Sequence, residues 1–527
     1  MKRAALLATL LALAGCASSV RPGFDKPASQ ALAQPSATTL GREMAARAAQ
    51  HPGESAFIPL SSGVDAFIAR IGAIDAAERT LDLQYYIVHE GITTRAIVDR
   101  LIRAADRGVR VRFLLDDTSS QGNDFSVRML AAHPNIEVRL FNPLREGRDS
   151  SIGRLFGMMA GAGTLHRRMH NKALIADNAV AVVGGRNLGD EYFGADPEVN
   201  FADLDLLAAG PVVGEVSASF DTYWNSEYAL PAEAFRGRAP TAAQLEHARR
   251  ELTDYLAKTK VARSDYLQRI ADSDLRRRFL ANDAPWTWGV ASAVYDDPSK
   301  VGSDGVVDPD KRIGPRLQAK IGGVARELFI VSPYFIPQDE GTARLTALAG
   351  RGVKVTIITN SLQANDVGIV HDAYAAYRKP LIEGGVALYE VRAKPQLKDQ
   401  AKATELHRRF GSSGASLHTK SIVFDRQTVF VGSMNLDPRS LLWNTELGFV
   451  VESPALAEQL LAIFEEVRDP GLSYRVALET RGKPPQPKLT WTTIEDGAPK
   501  TYRAEPASVW TRFVNWCLGV LTPEDLL

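Results

Sequence analysis

One pattern occurs twice in this chain, with no residue gained or lost inside it. The first copy reads His170-Asn171-Lys172, Asp177, Gly184-Gly185-Arg186-Asn187, and the second reads His418-Thr419-Lys420, Asp425, Gly432-Ser433-Met434-Asn435. Each residue of the second copy stands 248 positions after its counterpart (418 against 170, 420 against 172, 425 against 177, 435 against 187). The 527 residues include nine histidines, so two of them meeting so long a pattern by chance is improbable. A duplication of this kind restricts the fold to two copies of one supersecondary arrangement.

The flanking pattern repeats as well. Thr80 to Ile87 alternates in a β-rich run, a helical stretch follows from about Thr93 to Arg107, and Gly108 to Leu115 is a second strand. In the second half Glu327 to Ile336, about Thr342 to Ala349 and Gly352 to Ile358 repeat that order. A strand, helix, strand unit with a crossover this long pairs its strands in parallel with a right-handed connection, so each half is predicted to be a layered α/β unit. The length accommodates two such cores.

Histidine and lysine at i and i+2 of a strand face the same side, so each copy is expected to lie on a strand that delivers an imidazole and an ammonium to one surface. Ala173 to Ala176 and Ala179 to Val183 are apolar on either side of Asp177-Asn178, and Ser421 to Phe424 and Thr428 to Val431 flank Asp425-Arg426 in the same way. That is the pattern of a hairpin with an aspartate at its turn. The motif places His170, Lys172, Asp177, His418, Lys420 and Asp425 in the catalytic set, but at i+7 each aspartate points away from its own histidine, so a structural role is expected for Asp177 and Asp425. A reacting histidine needs a carboxylate on its other ring nitrogen. Asp203 and Glu446 each precede a proline by eight residues (211 against 203, 454 against 446) and are candidates for that role. Ordinary strand-edge charges remain the alternative.

The two motifs, with GGxN and GSxN following, resemble the phospholipase D superfamily, and nearly all of the chain after its first segment shares the likeness. Within the superfamily the similarity is to bacterial cardiolipin synthases of the C type, carried by Leu81 to Tyr86, Arg139 to Pro143, Arg168 to Lys172, Gly184 to Asp190, Asn360 to Leu362, Asn365 to Val367 and Leu436 to Ser440. The resemblance implies a duplicated α/β sandwich with one active site where the two halves meet. It implies a covalent phosphohistidine, with His170 as the preferred nucleophile and His418 as general acid and base. Lys172, Lys420, Asn187 and Asn435 would hold phosphate oxygens, and Ser433, Asp203 and Glu446 join them as phosphate-binding or orienting groups. The implied substrates are membrane phospholipids, phosphatidylglycerol with phosphatidylethanolamine as a further candidate, giving cardiolipin if the acceptor is the alcohol of phosphatidylglycerol and phosphatidic acid if it is water.

Lys and Arg number 62, as do Asp and Glu, so the net charge favours no polyanion and nucleic acid is not an expected partner. His166 and His170 are four apart, but Arg167 and Arg168 between them oppose a cation; no metal or other cofactor is expected, and the arginines are expected to approach phosphate. Met1-Lys2-Arg3 and the apolar run to Ala14 read as a secretion signal. Leu13-Ala14-Gly15-Cys16 resembles a lipobox, with Cys16 acylated and the enzyme anchored in the bacterial cell envelope. With only Cys16 and Cys517 present, no disulfide framework exists.

The chain is accordingly divided into a signal (1–16), a tether and lead-in (17–50), a first half (51–235), a polar connector (236–315), a second half (316–480) and a C-terminal extension (481–527). Ser508 to Leu518 is an amphipathic helix candidate that docks on the core or meets a membrane. Two further stretches have open roles. Asp366, His371, Tyr374 and Arg378 face the pocket or line a solvated helix face, and the apolar Leu155 to Gly161 dips into lipid or is buried.

Overall fold

A computed structural model describes residues 20–120, 124–145, 166–196, 198–235, 238–262, 264–302, 308–365, 367–393, 415–495, 497–508, 510 and 512. The signal segment, Cys16, Leu155 to Gly161, Asp366 and most of the C-terminal helix candidate lie outside them.

The strands of the first half are β1 (Ser55–Leu60), β2 (Thr80–Tyr85), β3 (Arg110–Asp116), β4 (Ile136–Phe141), β5 (Ala173–Ala176), β6 (Val180–Gly184), β7 (Asn200–Ala202), β8 (Asp205–Ala209) and β9 (Ala229–Pro231). Then come β10 (Thr287–Tyr295), β11 (Glu327–Val331), β12 (Lys354–Asn360), β13 (Ala387–Val391), β14 (Ala415–Leu417), β15 (Ser421–Phe424), β16 (Thr428–Gly432), β17 (Leu447–Glu452), β18 (Ser473–Arg481), β19 (Gln486–Glu495) and β20 (Ala498–Tyr502). The predicted crossovers are present: β2, β3 and β4 run parallel, as do β11, β12 and β13. In each half the motif hairpin joins antiparallel to the first of these strands, β5 on β2 and β15 on β11.

Eighteen strands form one sheet, because β1 pairs with β8 of its own half and also with β10, which pairs in turn with β17. β10 falls in the segment read from sequence as a polar connector. Its Thr-Trp-Gly-Val-Ala-Ser-Ala-Val-Tyr run is short of charge, and it carries the seam between the halves. The helices Ala242–Ala262, Ser264–Asp272 and Asp274–Leu280 precede it.

Two helices, Pro211–Asn225 and Pro454–Val467, begin with proline at a position whose missing N–H costs no bond. Both pack into a single apolar cluster that draws on both halves, including Phe57, Phe220, Trp224, Phe329, Phe449 and Phe464. Phe57 and Phe449 meet edge to face across the seam at 5.6 Å. Separate clusters fill the opposite face of each half, one around Leu81, Val111 and Leu174, the other around Ile330, Ile357 and Phe430.

The hairpin turns explain the aspartates. Asp177 and Asn178 have φ of 53° and 51°, and Asp425 and Arg426 have 52° and 59°, the left-handed pair of a tight two-residue turn. The Asp177 carboxylate accepts from the backbone N–H of Glu78, Arg79 and Thr80 at 2.8 Å each. Asp425 accepts from Ala325, Arg326 and Glu327 at 2.7 to 2.9 Å. Each aspartate thereby ties its turn to the N-terminal end of the neighbouring parallel strand, at the end of the hairpin remote from the histidine.

Removing the fully buried Asp177 leaves three amides without acceptors. Asp177→Ala is therefore expected to cost about 3 kcal/mol, within the range for orphaned buried donors, while Asp425→Ala, at the more exposed turn, costs less. Chemical denaturation would rank them, and equal loss in both would contradict the burial argument.

Candidate active site

The H-x-K segments were expected on strands. They lie instead in extended chain just before β5 and β15, where each is held by the opposite half. Met169 bridges in parallel to Thr445, the His170 N–H donates to the Thr445 carbonyl at 2.8 Å and the Thr445 N–H to the Arg168 carbonyl at 2.9 Å. On the other side β14 pairs in parallel with β7, and the His418 N–H donates to the Ala202 carbonyl at 2.8 Å. The residue after Ala202 is Asp203 and the residue after Thr445 is Glu446, so the backbone exchange sets each carboxylate beside the histidine of the other half.

The pairs are thus crossed. His170 Nδ1 lies 2.9 Å from Glu446 Oε2, and His418 Nδ1 lies 2.6 Å from Asp203 Oδ2. Sequence reasoning nominated both carboxylates but not their partners. Tyr86 stands edge-on to the His170 ring at 5.1 Å, and Tyr192 to the His418 ring at 5.4 Å, with Phe201 against His418 at 5.2 Å. The Lys172 ammonium donates to the His170 carbonyl and that of Lys420 to the His418 carbonyl, at 2.7 and 2.6 Å. All four HxK side chains are buried.

The groups of the two halves act on one another electrostatically. Burial lowers the proton affinity of His170 well below its ordinary value, and Lys172, Lys420 and His418 lower it further. Burial also lowers His418, with Lys420 adding to it and Asp203 opposing. Burial brings Lys172 down to about 7 despite Glu446, and pushes Glu446 up to about 7 against the pull of Lys172 and the Ser433 hydroxyl. Asp203 differs: burial opposes ionisation, but His418, Lys420 and Arg186 together hold it below the usual carboxylate range. The two dyads match in geometry and differ in charge.

The glycine-rich segments account for the unequal carboxylate lengths. A Cβ on Gly185 would stand 2.2 Å from an Asp203 carboxylate oxygen, so the short aspartate fits only because position 185 has no side chain. Its counterpart Ser433 donates to Glu446 Oε2 at 2.5 Å, and serves to orient that carboxylate. The Asn187 side chain is engaged, its oxygen by the Ile87 N–H at 3.1 Å and its nitrogen with the Tyr192 hydroxyl at 3.0 Å. The Asn435 amide oxygen, by contrast, is buried without a hydrogen bond.

Several supports were not foreseen. Asp296 accepts from the Glu446 N–H at 3.0 Å and pairs with buried Lys300 at 2.9 Å. Arg186 bonds the Asp203 carbonyl at 2.5 Å and the Asp205 carboxylate at 3.3 Å, and Asp205 also pairs with Arg70 at 2.9 Å. The one sequence signal for the latter was an arginine in GGRN where the second copy has methionine.

Asp177 and Asp425, grouped with the catalytic residues by the motif, hold their hairpin turns and are not brought to the imidazoles, the structural position their i+7 spacing predicts. Other expectations are corrected. Arg167 lies over the Trp443 ring at 4.7 Å and Arg168 lies 3.6 Å from Asp116, so both make protein contacts where phosphate contacts were expected. Tyr374 and Arg378 bind buried Glu390, and His371 and Arg378 bind Glu505. That cluster clasps the C-terminal extension to the second half and does not face the site. Among the described residues no group of three or more His, Cys, Asp or Glu is placed to hold a metal ion, and no helix is long and apolar enough to cross a membrane.

A duplicated α/β sheet with an HxK pair from each half meeting at the seam defines an enzyme of the phospholipase D superfamily. The family model described as cardiolipin synthase, PLD-like domain, matches residues 71–224 and 317–468, and the chain belongs to that family. It is 37% identical to cardiolipin synthase C of Escherichia coli over 486 residues, 91% of this chain and 97% of that protein. It is 33% identical over 495 residues to an uncharacterized protein of Helicobacter pylori, covering 93% of each. The solved phosphatidylserine synthase of Haemophilus influenzae shares the fold, with a TM-score of 0.53 and 13% identity over 92% of this chain and 99% of that one.

Gly185→Ala is expected to drive Asp203 off His418 and lower kcat by about 10²-fold or more, whereas Ser433→Gly removes one hydrogen bond to a carboxylate and lowers it about ten-fold. Saturation kinetics on both variants would check this, and a neutral Gly185→Ala would refute the close-packing account.

Proposed function

We propose that this enzyme transfers a phosphatidyl group between membrane phospholipids through a phosphohistidine and forms cardiolipin, with phosphatidylglycerol as a substrate. The carrying observation is the crossed pair of His–carboxylate dyads, each imidazole held by a carboxylate of the opposite half, an arrangement suited to two imidazoles acting on one phosphorus. The 37% identity to a cardiolipin synthase over nearly full length supports the substrate class, and the zero net charge gives no electrostatic advantage to a nucleic acid.

His170 is the nucleophile in this reading because burial and the two lysines disfavour its protonation more strongly than that of His418, where Asp203 opposes them, which favours a lone pair on its Nε2. Nε2 attacks phosphorus and the bond from phosphorus to the leaving glycerol oxygen breaks. His418, whose imidazolium is stabilised by ionised Asp203, gives that oxygen its proton. His418 then takes the proton of the incoming hydroxyl, the new P–O bond forms, and the P–N bond to His170 breaks. Lys172, Lys420 and the Asn435 side-chain NH2 donate to the non-bridging oxygens, while Asn187, Ser433, Asp203 and Glu446 fix the groups around them. Asp177 and Asp425 take no chemical part. The halves at 51–235 and 316–480 are the units that each bring one motif. The segment at 1–16 acts as a lipoprotein-type signal, and Cys16, acylated and made the new N-terminus, anchors the enzyme to a membrane of the bacterial envelope, facing the periplasm or exterior.

Labelled phosphatidylglycerol, alone and with phosphatidylethanolamine, in mixed micelles is expected to yield labelled cardiolipin. His170→Ala and His418→Ala are each expected to lower turnover on the order of 10⁴-fold. Phosphatidic acid as sole product would make the enzyme a hydrolase, and cut DNA in a parallel assay would make it a nuclease.

A pH profile adds a second check. Lys172, lowered to about 7, is charged below that pH in the unliganded enzyme, so kcat/KM is expected to fall as pH rises through about 7. A bound phosphodiester anion favours the ammonium, so kcat should hold to higher pH. Parallel profiles with no alkaline fall would remove Lys172 from phosphate binding.

A further inference from the structure

Each carboxylate that orients a histidine has a buried cation near it, but the two cations come from different parts of the chain. In the first half the cation belongs to the motif. Arg186, fully buried, donates to the Asp203 and Ser61 carbonyls and pairs with the Asp205 carboxylate at 3.3 Å. The second copy has Met434 at that position and carries its buried cation elsewhere. It is Lys300, in the short turn of helix Pro298–Val301 between β10 and the helix Ile313–Gly322.

The strand register shows what the second cation offsets. β1 sets Leu60 opposite Asp205 and β10 sets Val294 opposite Gly448, so Asp296, two residues past Val294, takes the place of Ser62, two past Leu60. A neutral serine in one half is a buried carboxylate in the other. The Asp296 N–H donates to the Glu446 carbonyl at 3.1 Å, and its carboxylate accepts from the Glu446 N–H at 3.0 Å. The Tyr223 hydroxyl, from the first half, donates to the Asp296 carbonyl at 2.6 Å. A second anion so near Glu446 is tolerated in the interior only if it is paired. The Lys300 ammonium pairs it, donating to the Asp296 carboxylate and to the Ser440 carbonyl at 2.9 Å each. The Ser440 hydroxyl in turn hydrogen-bonds the Glu446 carboxylate. Lys300 therefore joins the two residues that hold Glu446, one at its backbone and one at its side chain.

We propose that Lys300 is a positioning residue for the reaction, which through Asp296 and Ser440 fixes the Glu446 carboxylate on His170 as Arg186 fixes Asp203 on His418. This role rests on His170 acting on phosphorus and extends the site to a residue outside both motifs. The charged groups that face Glu446 are His170 and Lys172 from the first motif, Asp296 and Lys300 from the connector, and Asp437 from the segment after Asn435. Burial opposes ionisation of Glu446 and pushes it up to about 7, while Lys172 and Lys300 favour the carboxylate. Without the Lys300 charge Glu446 takes up its proton at higher pH, and a protonated Glu446 holds the His170 Nδ1–H less firmly.

Three variants test this. Lys300→Gln keeps N–H donors for Asp296 and Ser440 but removes the charge, Lys300→Arg keeps the charge, and Asp296→Asn removes the neighbouring anion. With consumption of labelled phosphatidylglycerol as the readout, whatever the product, the acid limb of kcat/KM is expected to move up by about one pH unit in Lys300→Gln. It is expected to stay in place in Lys300→Arg and to move down in Asp296→Asn, which supplies the test should Lys300→Gln not fold. A role in packing alone would lower turnover equally at every pH. The ring reports the same effect without turnover. In ¹⁵N-histidine-labelled protein near neutral pH, the His170 signal, assigned by its loss in His170→Ala, is expected to show the proton on Nδ1 in the native enzyme and a mixture of tautomers in Lys300→Gln. An unchanged tautomer in folded Lys300→Gln overturns the inference, and so does one acid limb common to all four proteins. A changed tautomer in an enzyme that consumes no phosphatidylglycerol keeps Lys300 in its role and overturns the substrate instead.

Discussion

Two imidazoles and two ammonium groups are taken out of water at one seam, and the carboxylate beside each imidazole comes from the opposite half. Buried charge is tolerated only where it is paired and hydrogen-bonded, so neither half can complete the site by itself. Asp203 would lack His418 and Glu446 would lack His170. The backbone enforces the same dependence, because the His170 and His418 amides donate to Thr445 and Ala202, and β1 and β10 carry one sheet through the junction. The core follows suit, since a single apolar cluster takes side chains from both halves.

Within that frame the copies have diverged by paired changes. A longer carboxylate, Glu446, goes with a serine that bonds it, and a shorter one, Asp203, goes with a glycine that lets it in. The last residues of β3 and β12 differ in the same compensated way. Asn360 makes two bonds to the backbone of Leu417, at 2.9 Å each, whereas Asp116 accepts from the Met169 N–H at 2.9 Å and is balanced by Arg168 at 3.6 Å. Each change keeps the histidine in place while altering the charge around it. Equivalent positions thereby acquire unequal proton affinities, which a two-step exchange between a nucleophile and an acid requires.

What could be read in advance follows from the range of each interaction. The hairpins, parallel units and turn aspartates depend on local periodicity and on one neighbouring strand, and they were legible. Asp203 and Glu446 were legible as candidates through their shared spacing to proline. Their crossing was not, because pairing across 276 residues, as for His170 with Glu446, leaves no local trace. β10 was missed for a related reason: it lies in a polar stretch, and only the meeting of two sheets makes it a strand. His371, Tyr374 and Arg378 have the spacing of one helix face, but nothing in that spacing says that the face binds Glu390 and Glu505.

The charge balance of the site explains why its lysines sit so deep. Lys172 and Lys420 are formally offset by Asp203 and Glu446, but burial brings Glu446 up to about 7 and Lys172 down to about 7. Burial thus opposes the charged form of both groups, and their mutual attraction only partly offsets it. A phosphodiester anion arriving at the seam changes this, because it stabilises the ammonium directly and so restores the positive side of the balance. The rings of Tyr86, Tyr192 and Phe201 pack around the imidazoles, and charges interact more strongly in such a low-dielectric surrounding than in water.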